Sequence, residues 1–332
     1  MLALIPVSAG ALRAHVAGQF DSPAAIATHG SNIWVANQTS NSVVAFNMTT
    51  GTNVFTITGK STGIVAPKAI IAAGANIFVA SSPATVTQID ATTGAVLHVL
   101  RAKGLHFTGA SAFYYRAPDL WVVDSGANAL TEINVTHDSL VRLVSQTSTH
   151  KAAFKDPMAI AGGNGDLWVV NDGNNSVTEV NAMTGAVLRI LSASAFQFTV
   201  PGGVAFSQNL VWVTEPSTDE VTVINAANGT LNQVITNSSH SQGYGFNAPG
   251  PVLGTATNVY VASPPGGSPM VTQLEPSTGV ANWMMCNTNY AFNFSNPDGL
   301  AIDGANLFVA NQANNTVTEM NAATGVLVQD FS

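Results

Sequence analysis

One aromatic position governs what this chain can fold into. It returns as Trp34, Phe78, Trp121, Trp168, Trp212, Tyr260 and Phe308, at steps of 44, 43, 47, 44, 48 and 48 residues. Each copy sits in a short apolar run, of which Leu167 to Val170 is the clearest. Such a run is too short for a helix and lacks the alternation of a one-sided sheet, so it reads as a strand buried on both faces. Asn171 to Asn175 then turn the chain, because Asn, Asp and Gly tolerate positive φ and cap their own backbone. Val177 to Val180 is a second run, Thr184-Gly185 a second turn, and Ala186 to Leu191 a third run. Pro157 to Ala161 stands upstream as the fourth. Turns this short join antiparallel neighbours.

The other landmarks recur in step. Pro23, Pro67, Pro157, Pro201, Pro249 and Pro297 open the first run, and Gly109-Ala110-Ser111 replaces the proline in the third copy. The turn before the last run is Thr-Gly or Asn-Gly in six copies and His137-Asp138 in the third. Roughly 40 to 50 residues per four-stranded unit is the period of a propeller blade. The sequence therefore predicts an all-β fold, a seven-bladed β-propeller of four-stranded antiparallel blades spanning residues 20–332 as one domain. Blades pack face to face on both neighbours, which explains why the middle strands are solidly apolar.

Residues 1–19 precede the seven copies. Gly10 aligned on Gly185 places Leu2, Ile5 and Leu12 on Val177, Val180 and Val187, and Phe20 stands before Pro23 as Phe198 stands before Pro201. The segment thus reads as the last two strands of a blade. It makes an eight-bladed ring with an incomplete blade the alternative, and its unpaired strand edges offer a route to homo-oligomers by strand addition.

Charge narrows the function classes. The 332 residues hold ten Lys and Arg against eighteen Asp and Glu, a net charge of −8, and no basic run. Nucleic acid is thereby disfavoured as a partner, since phosphate neutralisation supplies most non-specific affinity. No apolar run has the length of a transmembrane helix. The lone Cys286 falls on a last strand and reads as a buried thiol. Sparse charge with abundant Asn and Thr points to an extracellular or cell-surface protein, the ligand being an unidentified protein or small molecule.

The default ligand site is a mouth of the central channel. Residues closing the second strands (Asn37, Ser81, Asp124, Asn171, Glu215, Ser263 and Asn311) should gather there, with the residues after each first-strand proline, among them Lys68, Met158 and Asp298. The ligand-binding set read from this is Asn37, Lys68, Asp124, Asn171, Glu215, Asp298 and Asn311. Asn and Asp at strand ends also cap turns, and that structural role competes with ligand binding at most of these positions. Histidines 106, 150 and 240 fall in connections between blades, without the close spacing of a zinc motif.

The stretches NLVWVTEP (Asn209 to Pro216) and DLWVVN (Asp166 to Asn171) resemble the blades of NHL, YncE and streptogramin-lyase-like propellers. The resemblance runs through the whole chain as a blade pattern, so it implies fold more than function. In the lyases it implies a His after a first-strand proline, a Glu closing a second strand, and a divalent metal. Glu215 matches the Glu, but Gly202 stands where the His belongs. The expectation is a non-catalytic binding or structural propeller with no cofactor and no metal, against the alternative of a metal-dependent lyase or lactonase-like enzyme at the channel mouth.

Overall fold

The computed structural model describes residues 18–101, 105, 107–145, 153–239, 243–264, 269–287 and 292–332. Their strands form seven four-stranded sheets, each built from four strands consecutive in the chain. Blade 4 shows the pattern with Pro157–Gly163, Asp166–Asn171, Ser176–Asn181 and Val187–Ser192. All its pairings are antiparallel, with Pro157 opposite Asn171, Val170 opposite Val177, and Val177 opposite Leu191. This is the predicted seven-bladed propeller.

The middle strands of blade 4 bury five of six residues each, and the same holds in blades 1, 2, 3 and 7. All seven recurrent aromatics are at most 1% exposed. At about 1.5–3 kcal/mol for each large side chain fully buried, they form a principal part of the core. Outer strands, with solvent on one edge, leave Val54, Leu97, Leu188 and Val328 exposed.

Two devices tie each blade to the next. In the first, a residue three before the first-strand proline or its counterpart plugs the gap between blades. Phe20, Ile64, Phe107, Phe154, Phe198, Phe246 and Phe294 are all buried there. Third-strand threonines hold these connections by the backbone, as Thr87 Oγ1 donates to Thr62 O at 2.8 Å and Thr272 Oγ1 to Tyr244 O at 2.9 Å. In the second device, the turn before the outer strand leans on the preceding blade. Gly94 has φ 71°, and a Cβ there would lie 2.6 Å from the Phe55 ring, so both conformation and space select glycine. Blade 3 breaks the rule productively. Asp138 takes the left-handed conformation (φ 50°), and its Oδ2 lies 3.1 Å from His98 Nδ1 of blade 2.

The ring closes with the same chemistry. Gln329 Nε2 donates to Met48 O at 3.1 Å, and Phe331 packs on Phe46 with ring centroids 4.7 Å apart. Ser22 N donates to Asn315 Oδ1 at 2.8 Å, as Ala66 N does to Asn41 and Asp156 N to Asn128, both at 2.7 Å. Blade 7 therefore meets blade 1 as any blade meets its neighbour, and the eight-bladed alternative falls. Phe20 is buried like Phe198, as its alignment predicted. Residues 1–17, the body of the expected extra strand pair, lie outside the described residues. Cys286 is buried and outside any disulfide.

Candidate functional site at the channel mouth

Antiparallel pairing sets each first-strand start beside a second-strand end, as Pro23 opposite Asn37 and Pro297 opposite Asn311. The connections between blades and the turns after the second strands therefore share one face, and the first strands line the channel that opens on it. Two neighbouring sets of side chains there behave differently.

The second-strand ends are all buried, at 0 to 2% exposure. In four of them, Asn37, Asp124, Glu215 and Asn311, the polar group holds the connection sixteen residues upstream. Asp124 accepts from Thr108 N at 2.8 Å, Gly109 N at 2.7 Å and Ala127 N at 3.1 Å. Asn311 Oδ1 accepts from Ser295 N at 3.3 Å, while its Nδ2 donates to Thr316 Oγ1 and Thr318 Oγ1 at 3.1 and 3.0 Å. Asn37 accepts from Asp21 N at 3.2 Å. Asn171 donates to Thr178 Oγ1 at 2.9 Å. Four of the predicted ligand residues are thus engaged with the chain's own backbone and hydroxyls.

Glu215 has the same task and one methylene more than Asp124. Its Oε2 accepts from Thr199 N and Val200 N at 3.0 and 3.3 Å, but Oε1 finds no partner among the described residues. Burial raises its carboxyl to about 7, against the lowering effect of those hydrogen bonds. A buried acid with one satisfied oxygen is stable as the neutral form at mildly acid pH.

The first-strand set is oriented by bulges. The register slips after Pro23, Pro157 and Pro297, leaving Ala24, Met158 and Asp298 unpaired, and a similar slip falls between Ala110 and Ala112. A bulge re-aims the side chain of the extra residue. Pro67, Pro157 and Pro297 are buried, yet Lys68, Met158 and Asp298 directly after them are exposed. Around the channel the series runs Ala24, Lys68, Ser111, Met158, Gly202, Gly250, Asp298. It is chemically uneven, with one cation, one anion, one thioether and two glycines.

Asp298 is held by a relay of side-chain hydrogen bonds. Gln312 Nε2 donates to its Oδ2 at 3.3 Å, and Asn296 Nδ2 anchors Gln312 Oε1 at 2.8 Å. Surrounding protein raises its carboxyl to about 6 although the residue is exposed to water, as expected inside a concave mouth. The sequence reading missed Gln312 and Asn296. Their sixteen-residue separation, the one linking Asn311 to Ser295, was the available signal.

Elsewhere, a cavity of about 400 Å³ lies on the rim between blades 2 and 3, beside Leu100, Arg101 and Leu140. A smaller one of about 110 Å³ adjoins Arg116, Glu132 and Arg142. Among the described residues, no group of three His, Cys, Asp or Glu could hold a metal ion, and no helix is long and apolar enough to cross a membrane. His106, His150 and His240 lie outside the described residues.

A family model described as outer membrane protein assembly factor BamB matches residues 9–283. No curated protein sequence matches the chain. Solved structures do. Hydrazine synthase from Kuenenia stuttgartiensis superposes with a TM-score of 0.71 at 17% identity, covering 94% of this chain and 98% of that one. Virginiamycin B lyase from Staphylococcus aureus gives 0.70 at 12% identity, over 91% and 95%. BamB from Moraxella catarrhalis gives 0.59 at 13% identity, over 90% and 85%. At these identities the likeness is one of fold.

Proposed function

This chain belongs to the family described as outer membrane protein assembly factor BamB, and from that premise we propose that it is a non-catalytic binding propeller whose working face is the channel mouth. One observation carries the reading. The carboxylates and amides that an enzyme would need at the second-strand ends are buried and bonded to the fold, whereas the residues at the first-strand starts are unlike one another and include the exposed Lys68, Met158 and Asp298. Unlike side chains on a rigid ring make a surface for recognition, and a relative named as an assembly factor supports a protein as the partner. The same name supports a location in the cell envelope or at the surface. The narrower kinship with NHL, YncE and streptogramin-lyase-like propellers rests on the proline and tryptophan blade pattern. Self-assembly through residues 1–19 is part of the proposal too, since exposed outer edges such as that bearing Val328 accept added strands.

The lyase or lactonase-like alternative keeps one supporting feature, the unpaired oxygen of Glu215. It lacks a base, because Gly202 uses only its backbone, donating to Thr214 O at 2.8 Å. A photo-crosslinking residue at position 158, compared with one at rim position 231 in cells making the protein, tests the binding reading. An adduct of defined mass at 158 alone supports it. An adduct at 231 alone overturns it, and metal-dependent turnover abolished by Glu215→Gln replaces it with the enzyme.

A further inference from the structure

We propose that the arc of the mouth from Met158 through Gly202 and Gly250 to Asp298 receives a basic side chain, an aliphatic stem ending in guanidinium or ammonium, presented by the bound partner. The inference rests on the mouth being the working face and specifies the chemistry read there.

These four residues occupy equivalent positions on blades 4, 5, 6 and 7, so they are consecutive around the channel. An exposed thioether stands at one end and an exposed carboxylate at the other. The two positions between carry no side chain of their own. A Cβ on Gly250 would meet nothing within 4 Å, which shows the space beside Asp298 to be open, whereas one on Gly202 would lie 2.9 Å from the Pro216 ring. An aliphatic stem lying over Gly250 and along the Pro216 ring extends toward polarizable Met158, a side chain that adapts to varied apolar shapes. Its charged end then reaches Asp298.

The carboxylate is prepared for a cation that the described chain does not supply. Gln312 fixes Oδ2 and leaves Oδ1 open. Among the described residues the ion pairs are His98–Asp138, Arg142–Glu132 and Arg189–Glu179, none at Asp298. Lys68 is on the opposite arc, separated from Asp298 by Ala24 of blade 1 and from Met158 by Ser111 of blade 3. Its charge repels a ligand cation from that side and leaves the glycine arc as the favoured berth. A cation placed there completes a charge-assisted hydrogen bond, stronger than a neutral one.

The experiment uses the full chain with ¹³C-methyl methionine, Met158 being identified by the signal lost in Met158→Leu. Nα-acetyl-arginine methylamide is titrated against its citrulline counterpart, which has the same shape without the charge. The expected result is a saturable Met158 shift with a preference for arginine of about tenfold or more, the scale of one charge-assisted contact. Asp298→Asn should abolish the preference, and Gly250→Phe, which fills the arc, should abolish the shift. Equal isotherms for the two probes, no shift, or a preference that survives Asp298→Asn overturns the proposal. If Gly250→Phe fails to fold, the nearly isosteric Asp298→Asn decides alone. The crosslink at position 158 is independent of these outcomes, so this proposal can fail while the binding reading stands.

Discussion

Second-strand ends and first-strand bulges adjoin one another at one face, yet they obey different rules. The ends are always small or acidic polar residues and always buried, and Asn37, Asp124, Glu215 and Asn311 are bonded to the same upstream connection. The first-strand starts are Ala, Lys, Ser, Met, Gly, Gly and Asp, four of them at bulges, and Lys68, Met158 and Asp298 reach water. Within one repeat protein, a position that keeps its chemistry in every copy is held by the fold. A position that changes freely in each copy, at a site every copy presents, is available for recognition. The comparison reverses a first impression, because Asn, Asp and Glu at strand ends look more like a site than Ala, Met and Gly.

The contrast can be broken most directly through stability. Trp168→Ala leaves a cavity between blades and should cost about 3–5 kcal/mol in urea unfolding, whereas Met158→Ala, a surface change, should stay within about 0.5 kcal/mol. A Met158 effect as large as that of Trp168 would place the bulge residue in the core and end the distinction.

Glu215 sharpens it through pH. Its folded carboxyl is raised to about 7 from the ordinary glutamate value of 4.5, so the fold retains a proton that the unfolded chain releases. Stability therefore falls as pH rises between these two values and levels off above the higher one, by up to about 3 kcal/mol for this group. Glu179, also raised to about 7 chiefly by burial, adds a slope of the same sign. Denaturant midpoints of Glu215→Gln measured from acid to mildly alkaline pH should show a shallower decline than the parent. An unchanged slope would mean that Glu215 is hydrated, and thus closer to the bulge set than its burial implies.

Asn311→Ala removes both hydrogen-bonding groups of a buried side chain and should cost about 1–3 kcal/mol, with hydrogen exchange quickening at Ser295. The smallest effect belongs to Asp298→Asn in acid, expected within about 0.5 kcal/mol, with a stabilisation relative to the parent appearing as pH rises through the Asp298 titration. In the parent, the Asp298 carboxyl carbon should titrate near 6 by NMR. A midpoint in the ordinary carboxylate range would place it on an open surface instead of a concave mouth.

Much of the fold was legible because propeller packing repeats. An aromatic between two blades, a glycine against the preceding outer strand and a proline opening the first strand each answer a demand that returns every blade, so the sequence shows them as a period. Even the His137-Asp138 exception was visible as an exception. Its partner was not, because His98 lies one blade away and nothing along the chain marks a contact across that gap.

The chain alone thus determined the blade, its four strands and their count, since these follow from local alternation and turn chemistry. Which polar residues face the solvent was decided only in three dimensions. Asn311 and Asp298 are both polar and share one end of a sheet, but one side chain enters the core and the other the channel. A single unpaired residue in the first strand makes that difference, because strand geometry has a period of two and one extra residue turns a side chain to another direction. Closure at seven was likewise a property of the ring, fixed where Gln329 and Phe331 meet Met48 and Phe46 from the far end of the chain.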